Sequence, residues 1–398
     1  MESIEHSLEL KDGRLLAYHT FPKTEEASDG DETNGSVSNR RLDEGNDKRG
    51  QPHPVLYFHG FPGCGLEAGA TCALSVAQAG GRLYAIDRPG MGKTSSPYAV
   101  RHVDVVDNNN GDCEGIHKSS NDGNLDALVE SIWELIENLC WVEFSIIGVS
   151  GGGPYALAML ASYLEKRKRE QQPPSEHNTE ESSRAACARL RNVCLVGAVC
   201  ISAGLDGIKT GLDSMVPWVA NASASRWSRL RLKIMAVSMG AVFNTLMPML
   251  PLSWAMTLNA NGSKNLPTAD QEWMSDEKNI RPYLSMLQSM AVRGGYPGIY
   301  DDEMIVLRSN HSHEEVLRRH YGNDANSGSD DLPAIGIFQG DSDVNVPLSH
   351  AQFLHKSIFR ERSELFRYDD LGHVSMIAGK SKEYAAFATA TTHPPKSS

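Results

Sequence analysis

The chain has 398 residues, 40% of them hydrophobic, which is enough to bury one large core or two modest ones. Its formal net charge of −12 argues against a nucleic-acid partner, since a phosphate backbone needs a clustered basic face. Seven cysteines, at 64, 72, 113, 140, 187, 194 and 200, form no Cys-x-x-Cys pair, and Cys140, Cys194 and Cys200 stand in apolar strand-like runs, the pattern of reduced core thiols in an intracellular protein.

Met1 to His6 has neither a basic n-region nor an apolar h-region, so no secretory signal is expected and the predicted location is cytoplasmic. Ser7 to Leu10, a turn at Asp12-Gly13, and Leu15 to Phe21 predict a β-hairpin that begins a sheet. Lys23 to His53 is dominated by Glu, Asp, Gly, Asn and Ser and cannot repay the entropy of ordering. Asp104 to Asn124 and Lys166 to Arg184 have the same composition, and Gly322 to Asp331 is a fourth candidate. Read as surface insertions, they leave about 300 residues, a single domain with an inserted cap.

Between the insertions strand and helix alternate. Strands are predicted at Val55 to Phe58, Arg82 to Ile86, Val142 to Ile147, Val193 to Ile201, Ala334 to Phe338 and Ser363 to Tyr368, and helices at Ala68 to Ala79, Leu125 to Leu139 and Tyr155 to Lys168. This alternation predicts an α/β fold, a mostly parallel sheet with helices on both faces, whose catalytic groups gather at the carboxyl ends of strands. Ile234 to Leu258 carries no charged residue and follows a basic run from Arg226 to Lys233, so a membrane helix or interfacial attachment must be weighed. Asn244, Pro248 and Pro251 interrupt it, which favours a pair of soluble lid helices.

Ile146 to Ala158 runs from an apolar strand through Gly148-Val149-Ser150-Gly151-Gly152 into helix-forming residues. Gly-x-Ser-x-Gly at a strand-to-helix turn is a nucleophile elbow: the serine points outward on a tight bend, and the helix N-terminus offers N–H groups to developing negative charge. Gly151 to Ala156 also matches a dinucleotide fingerprint, but about 140 residues precede it, whereas that turn follows the first strand of its domain. Gly92-Lys93-Thr94 similarly echoes the end of a phosphate loop and lacks its leading glycine, Asp87 standing there. A glycine turn without chemistry is the bland alternative.

A serine hydroxyl needs a base within reach and a third group to orient that base. His350 and His355 fall in a predicted helix and His393 in a polar tail, whereas His373 lies in a Gly-containing loop just beyond the last strand. The acid comes from Gly340-Asp341-Ser342-Asp343 after an apolar strand; Asp341 and Asp343 both qualify, and Asp206 is the reserve. Asp87 to Gly92 reads as an architectural loop, turning on Pro and Gly.

The order Ser150, Asp343, His373 is that of the α/β-hydrolase triad. With His59-Gly60-Phe61-Pro62-Gly63, Asp87-Arg88-Pro89-Gly90-Met91-Gly92, the elbow, Gly340-x-x-Asp343-x-x-Val346-Pro347 and Gly372-His373 in sequence, the chain resembles α/β-hydrolases with a serine nucleophile and an inserted lid. The resemblance implies Ser150, Asp343 and His373 as the triad, with Asp343 preferred to Asp341, and the backbone N–H groups of Phe61 and Gly151 as the oxyanion hole. His59 to Pro62 is also similar to epoxide hydrolases and haloalkane dehalogenases, whose elbow carries a carboxylate where this chain has Ser150.

The expected organisation is a hydrolase core at 1–204 and 332–390, a helical lid at 205–331 and a polar tail at 391–398. Met215, Trp218, Trp227, Met235, Met239, Phe243, Met247, Met249, Trp254 and Met256 make the lid either a packed helical core or an apolar pocket. The implied activity is hydrolysis of an ester or related acyl bond in a small, moderately hydrophobic molecule, as by a carboxylic ester hydrolase, without metal or organic cofactor. A prolyl aminopeptidase-like hydrolase, a non-catalytic binding protein of the same fold, and a lipase-like protein whose lid touches membranes are the alternatives.

Overall fold

The computed structural model describes residues 2–22, 51–61, 63–95, 125–171, 188–200, 266–292, 312–322 and 332–391, with isolated positions between 234 and 251. Most of the predicted insertions, the greater part of 234–258, Asp206 and His393 lie outside the described residues. Among the described residues eight strands form one sheet: β1 (Ile4–Glu9), β2 (Leu15–Thr20), β3 (His53–Phe58), β4 (Gly81–Ile86), β5 (Glu143–Val149), β6 (Arg189–Val196), β7 (Ala334–Gly340) and β8 (Ser363–Tyr368). Their spatial order is β1-β2-β4-β3-β5-β6-β7-β8. The β1–β2 hairpin and the β2–β4 pair are antiparallel, and every pairing from β4 to β8 is parallel. The architecture is a mostly parallel sheet flanked by helices, as the alternation of strand and helix predicts.

Both faces of the central strands are buried, because crossover helices cover each side. The twofold alternation of β3 divides its residues accordingly: Leu56 and Phe58 join one core cluster, and Val55 and Tyr57 the other. The first cluster is covered by α3 (Leu125–Asn138) and α4 (Gly153–Gln171), through Ile132, Trp133, Leu160 and Tyr163. The second packs under α1 (Glu67–Thr71) and α2 (Ala73–Gln78), with Ala68 and Val76 buried.

Five helices follow β6 among the described residues that bear on the site: α5 (Thr268–Ser275), α6 (Glu277–Val292), α7 (Ser312–Gly322), α8 (Leu348–Phe353) and α9 (His373–Gly379). A sixth, α10 (Ser381–Thr389), adds Tyr384 and Ala385 to the second cluster. Helix α7 falls within the segment expected to be lid, yet its Leu317 and Tyr321 are buried in the first cluster. Cys140 differs from its expectation: it is exposed, at φ 51° in the turn after α3, because β5 starts only at Glu143. Cys194 and Cys200 are buried thiols, as their apolar surroundings predict. Among the described residues no helix is long and apolar enough to cross a membrane.

Candidate active site

The elbow forms where β5 ends. Ser150 has φ +50°, a left-handed conformation that costs a non-glycine residue about 1–2 kcal/mol and is kept only where the surroundings impose it. Here Val199 N–H donates to the Ser150 carbonyl at 3.0 Å from one side. On the other, the turn presses on β3 so closely that a Cβ at Gly152 would stand 2.2 Å from the Phe58 carbonyl oxygen. Glycine is required at that approach.

Ser150 lies within reach of the predicted base. Its hydroxyl donates to His373 Nε2 at 3.0 Å, and His373 Nδ1 donates to Asp343 Oδ2 at 2.6 Å; all three residues are buried. Asp343 is held in turn: its Oδ1 accepts the N–H groups of Asn345 and Val346, each at 2.8 Å, and Oδ2 also accepts Gln339 Nε2 at 3.1 Å. Burial alone pushes His373 toward the neutral form. The charge and hydrogen bond of Asp343 outweigh this, Asp270 and Glu67 act in the same direction, and its pKa rises above the ordinary 6.5.

Of the two aspartates after β7, Asp343 meets the histidine, whereas Asp341 pairs with Arg367 at the surface, 3.1 Å from its Nε. His350 is buried and its Nδ1 accepts Cys200 N–H at 3.0 Å; burial lowers its pKa to about 4, so it stays neutral as a tie between the segment after β6 and α8. His373, expected in a loop, is the first residue of α9.

The predicted oxyanion donors are neighbours: a Cβ on Gly151 would stand 3.3 Å from the Phe61 nitrogen. What aims the Phe61 peptide is a buried polar scaffold. Arg88, fully buried in the loop after β4, donates through Nη2 to Gly60 O and through Nη1 to Gly151 O, both at 2.8 Å, with its guanidinium over the Tyr155 ring. His59 Nδ1 also donates to Gly60 O, at 2.9 Å. Glu67 Oε1 accepts both Gly60 N–H, at 2.9 Å, and the Tyr57 hydroxyl, at 2.8 Å. Because a trans peptide points its carbonyl and N–H in opposite directions, fixing Gly60 O toward Arg88 turns Phe61 N–H away from it. Burial raises the Glu67 pKa against the opposing bonds of Gly60 and Tyr57, and burial, then Arg88, holds His59 well below its usual range.

The Asp87 loop is tied to its surroundings by hydrogen bonds. Asp87 accepts Gly65 N–H at 2.7 Å and His19 Nε2 at 3.1 Å, and the Thr94 hydroxyl donates to its carbonyl at 2.7 Å.

A cleft over Ser150 and His373 is lined by Glu67, Thr71, Trp273, Tyr283, Val374 and Ile377. Trp273 and Tyr283 come from α5 and α6, inside the predicted lid segment. Of the Met and Trp residues expected to line a lid pocket, Met249 alone is among the described residues, and it is 79% exposed. Arg88, Glu67 and Asp270 had no place in the sequence-based site; in Arg88 the signal was a charge flanked by a strand end and Pro-Gly.

No family model matches the chain, and no curated protein sequence does. Solved structures do match its fold. An α/β-hydrolase fold protein from Nakamurella multipartita is 15% identical, with TM-score 0.50, over 97% of this chain and 99% of its own. A bromoperoxidase from Bacillus anthracis is 15% identical, with TM-score 0.50, over 97% of each chain. The thioesterase domain from the curacin biosynthetic pathway is 13% identical, with TM-score 0.51, over 98% and 100% respectively. The chain therefore has the α/β-hydrolase fold.

Proposed function

We propose that the protein is a serine hydrolase that cleaves an ester or related acyl bond of a small molecule through an acyl-enzyme. The fold alone does not choose the chemistry, since its structural neighbours include a bromoperoxidase as well as a thioesterase domain. The observation that carries the reading is the buried relay from Ser150 Oγ to His373 Nε2 and from His373 Nδ1 to Asp343.

In this mechanism Ser150 Oγ attacks the acyl carbon while His373 Nε2 takes its proton. Asp343 holds the ring in the tautomer that leaves Nε2 free to accept, and stabilises the imidazolium that forms. The N–H groups of Phe61 and Gly151 receive the tetrahedral oxyanion, each donor contributing about 3–4 kcal/mol in comparable sites. His373 then protonates the leaving alcohol. Water, deprotonated by His373, releases the acid and restores Ser150.

The segment carrying Trp273 and Tyr283 acts as lid, and its aromatic surfaces favour a moderately hydrophobic acyl or alcohol group. A cytoplasmic setting suits the buried thiols of Cys72 and Cys194. The test is turnover of p-nitrophenyl acetate and butyrate against matched amide and peptide substrates. Ester hydrolysis that vanishes in Ser150→Ala is the expected result. No turnover of any acyl substrate by the wild type would overturn the reading and favour a binding protein.

A further inference from the structure

The carboxylate of Asp270 lies in α5, 103 residues before His373, and is fully buried. Oδ2 accepts the backbone N–H of His373 at 2.9 Å. Oδ1 accepts the Ser375 N–H at 2.8 Å and the Ser375 hydroxyl at 2.6 Å. The two N–H groups are orphan donors of the first turn of α9, and a local N-cap side chain would ordinarily satisfy the one at Ser375. The N-cap here is Gly372, which has no side chain; a Cβ there would stand 2.3 Å from Asp270 Oδ2. The missing cap and the space for a remote one occur at the same residue.

Asp270 stands three residues before Trp273 on the same helix, so the two share a face. Trp273 lines the cleft over Ser150. The contact that seats the cleft wall is therefore the contact that seats the backbone of His373.

We infer that Asp270 is a positioning residue for the proposed hydrolysis: its carboxylate caps α9 from outside, fixing the His373 ring between Ser150 and Asp343 and coupling that placement to docking of the Trp273 wall. Three carboxylates face the imidazole: Asp343 from the loop after β7, Glu67 from α1 and Asp270 from α5. Asp343 bonds the ring, whereas Asp270 bonds the main chain beneath it. This inference rests on Ser150 and His373 being the reacting pair.

The experiment compares wild type, Asp270→Asn, Gly372→Ala and Glu272→Gln in steady-state ester hydrolysis from pH 5 to 9, with thermal unfolding measured alongside. Asp270→Asn keeps the shape and one acceptor oxygen but loses the charge and one acceptor. Gly372→Ala pushes on the intact carboxylate from the other side. Both should lower kcat roughly 10- to 100-fold with a smaller change in KM, as misplacement of a catalytic group by about 1 Å does. In Asp270→Asn the acid limb of kcat/KM should also move to lower pH, because a negative charge facing His373 is gone. Glu272, exposed on the same helix, serves as the charge control and should leave kcat and the acid limb unchanged. Folded Asp270→Asn with wild-type kcat and an unmoved acid limb would overturn the inference, as would Gly372→Ala with wild-type kcat. A wild type that hydrolyses nothing and takes no fluorophosphonate would instead overturn the function on which the inference rests.

Discussion

Arg88 donates from Nη2 to the carbonyl oxygen of Gly60 at 2.8 Å, and with His59 Nδ1 on the same oxygen this bond fixes the peptide whose other end is the Phe61 N–H. Its Nη1 reaches Gly151 O, so the guanidinium ties the loop after β3 to the elbow. A lysine would keep the charge but could not hold two carbonyls in a planar fork. Arg88→Lys is predicted to lower kcat by about 10- to 100-fold with a smaller effect on KM, short of the 10²–10³ lost when an oxyanion donor is removed outright. Steady-state kinetics on an activated ester checks this, and an unchanged kcat would detach Arg88 from the proposed oxyanion hole.

The raised pKa of His373 sets a pH dependence with a definite sign. As the proposed general base His373 must be neutral, so kcat/KM should climb as pH rises through a midpoint above 6.5. Protonated His373 is favoured by folding, so its pairing with Asp343 stabilises the protein fully below pH 6.5 and loses that contribution as pH rises through the folded value. Asp343→Asn should move the acid limb downward and cut kcat by roughly 10⁴-fold, because the amide no longer holds the required tautomer. A pH–rate profile of both proteins measures the two effects together.

Ser150 should trade stability for reactivity. With φ +50° it carries a backbone conformation that glycine adopts without strain. Ser150→Gly is predicted to abolish hydrolysis while raising stability by about 1 kcal/mol, read as an increased melting temperature. A variant that melts lower than wild type would show that the hydroxyl bond to His373 outweighs the strain.

Gly152 should tolerate no side chain. Its missing Cβ would lie 2.2 Å from Phe58 O and 2.9 Å from His59 O, both backbone atoms that cannot give without moving β3. Gly152→Ala is predicted to cost about 2–3 kcal/mol and most of the activity, since the displaced segment leads into the oxyanion loop. Denaturant unfolding and ester kinetics on the same preparation check both parts.

The sheet, and the meeting of Ser150, Asp343 and His373, were legible in the sequence for one reason: apolar runs mark the strands, and these three residues each stand within a few residues of a strand's carboxyl end. Local patterning carried less where distant groups decide the structure. His373 looked like loop because Gly372 offers no side-chain cap, and the cap comes instead from Asp270. Arg88 and Glu67 took no part in the site predicted from sequence, yet both are buried, and their contacts exist only once the β3, β4 and β5 ends are brought together. Cys140 erred the other way, an apolar neighbourhood in sequence that turned out to be an exposed bend.

Reaction with a fluorophosphonate, followed by intact mass and peptide mapping, tests the central claim most directly. Ser150 as nucleophile predicts one adduct per chain on the peptide containing Ser150, absent in Ser150→Ala and formed far more slowly in His373→Ala. A wild type that takes no adduct, or one that maps elsewhere and persists in Ser150→Ala, would contradict it.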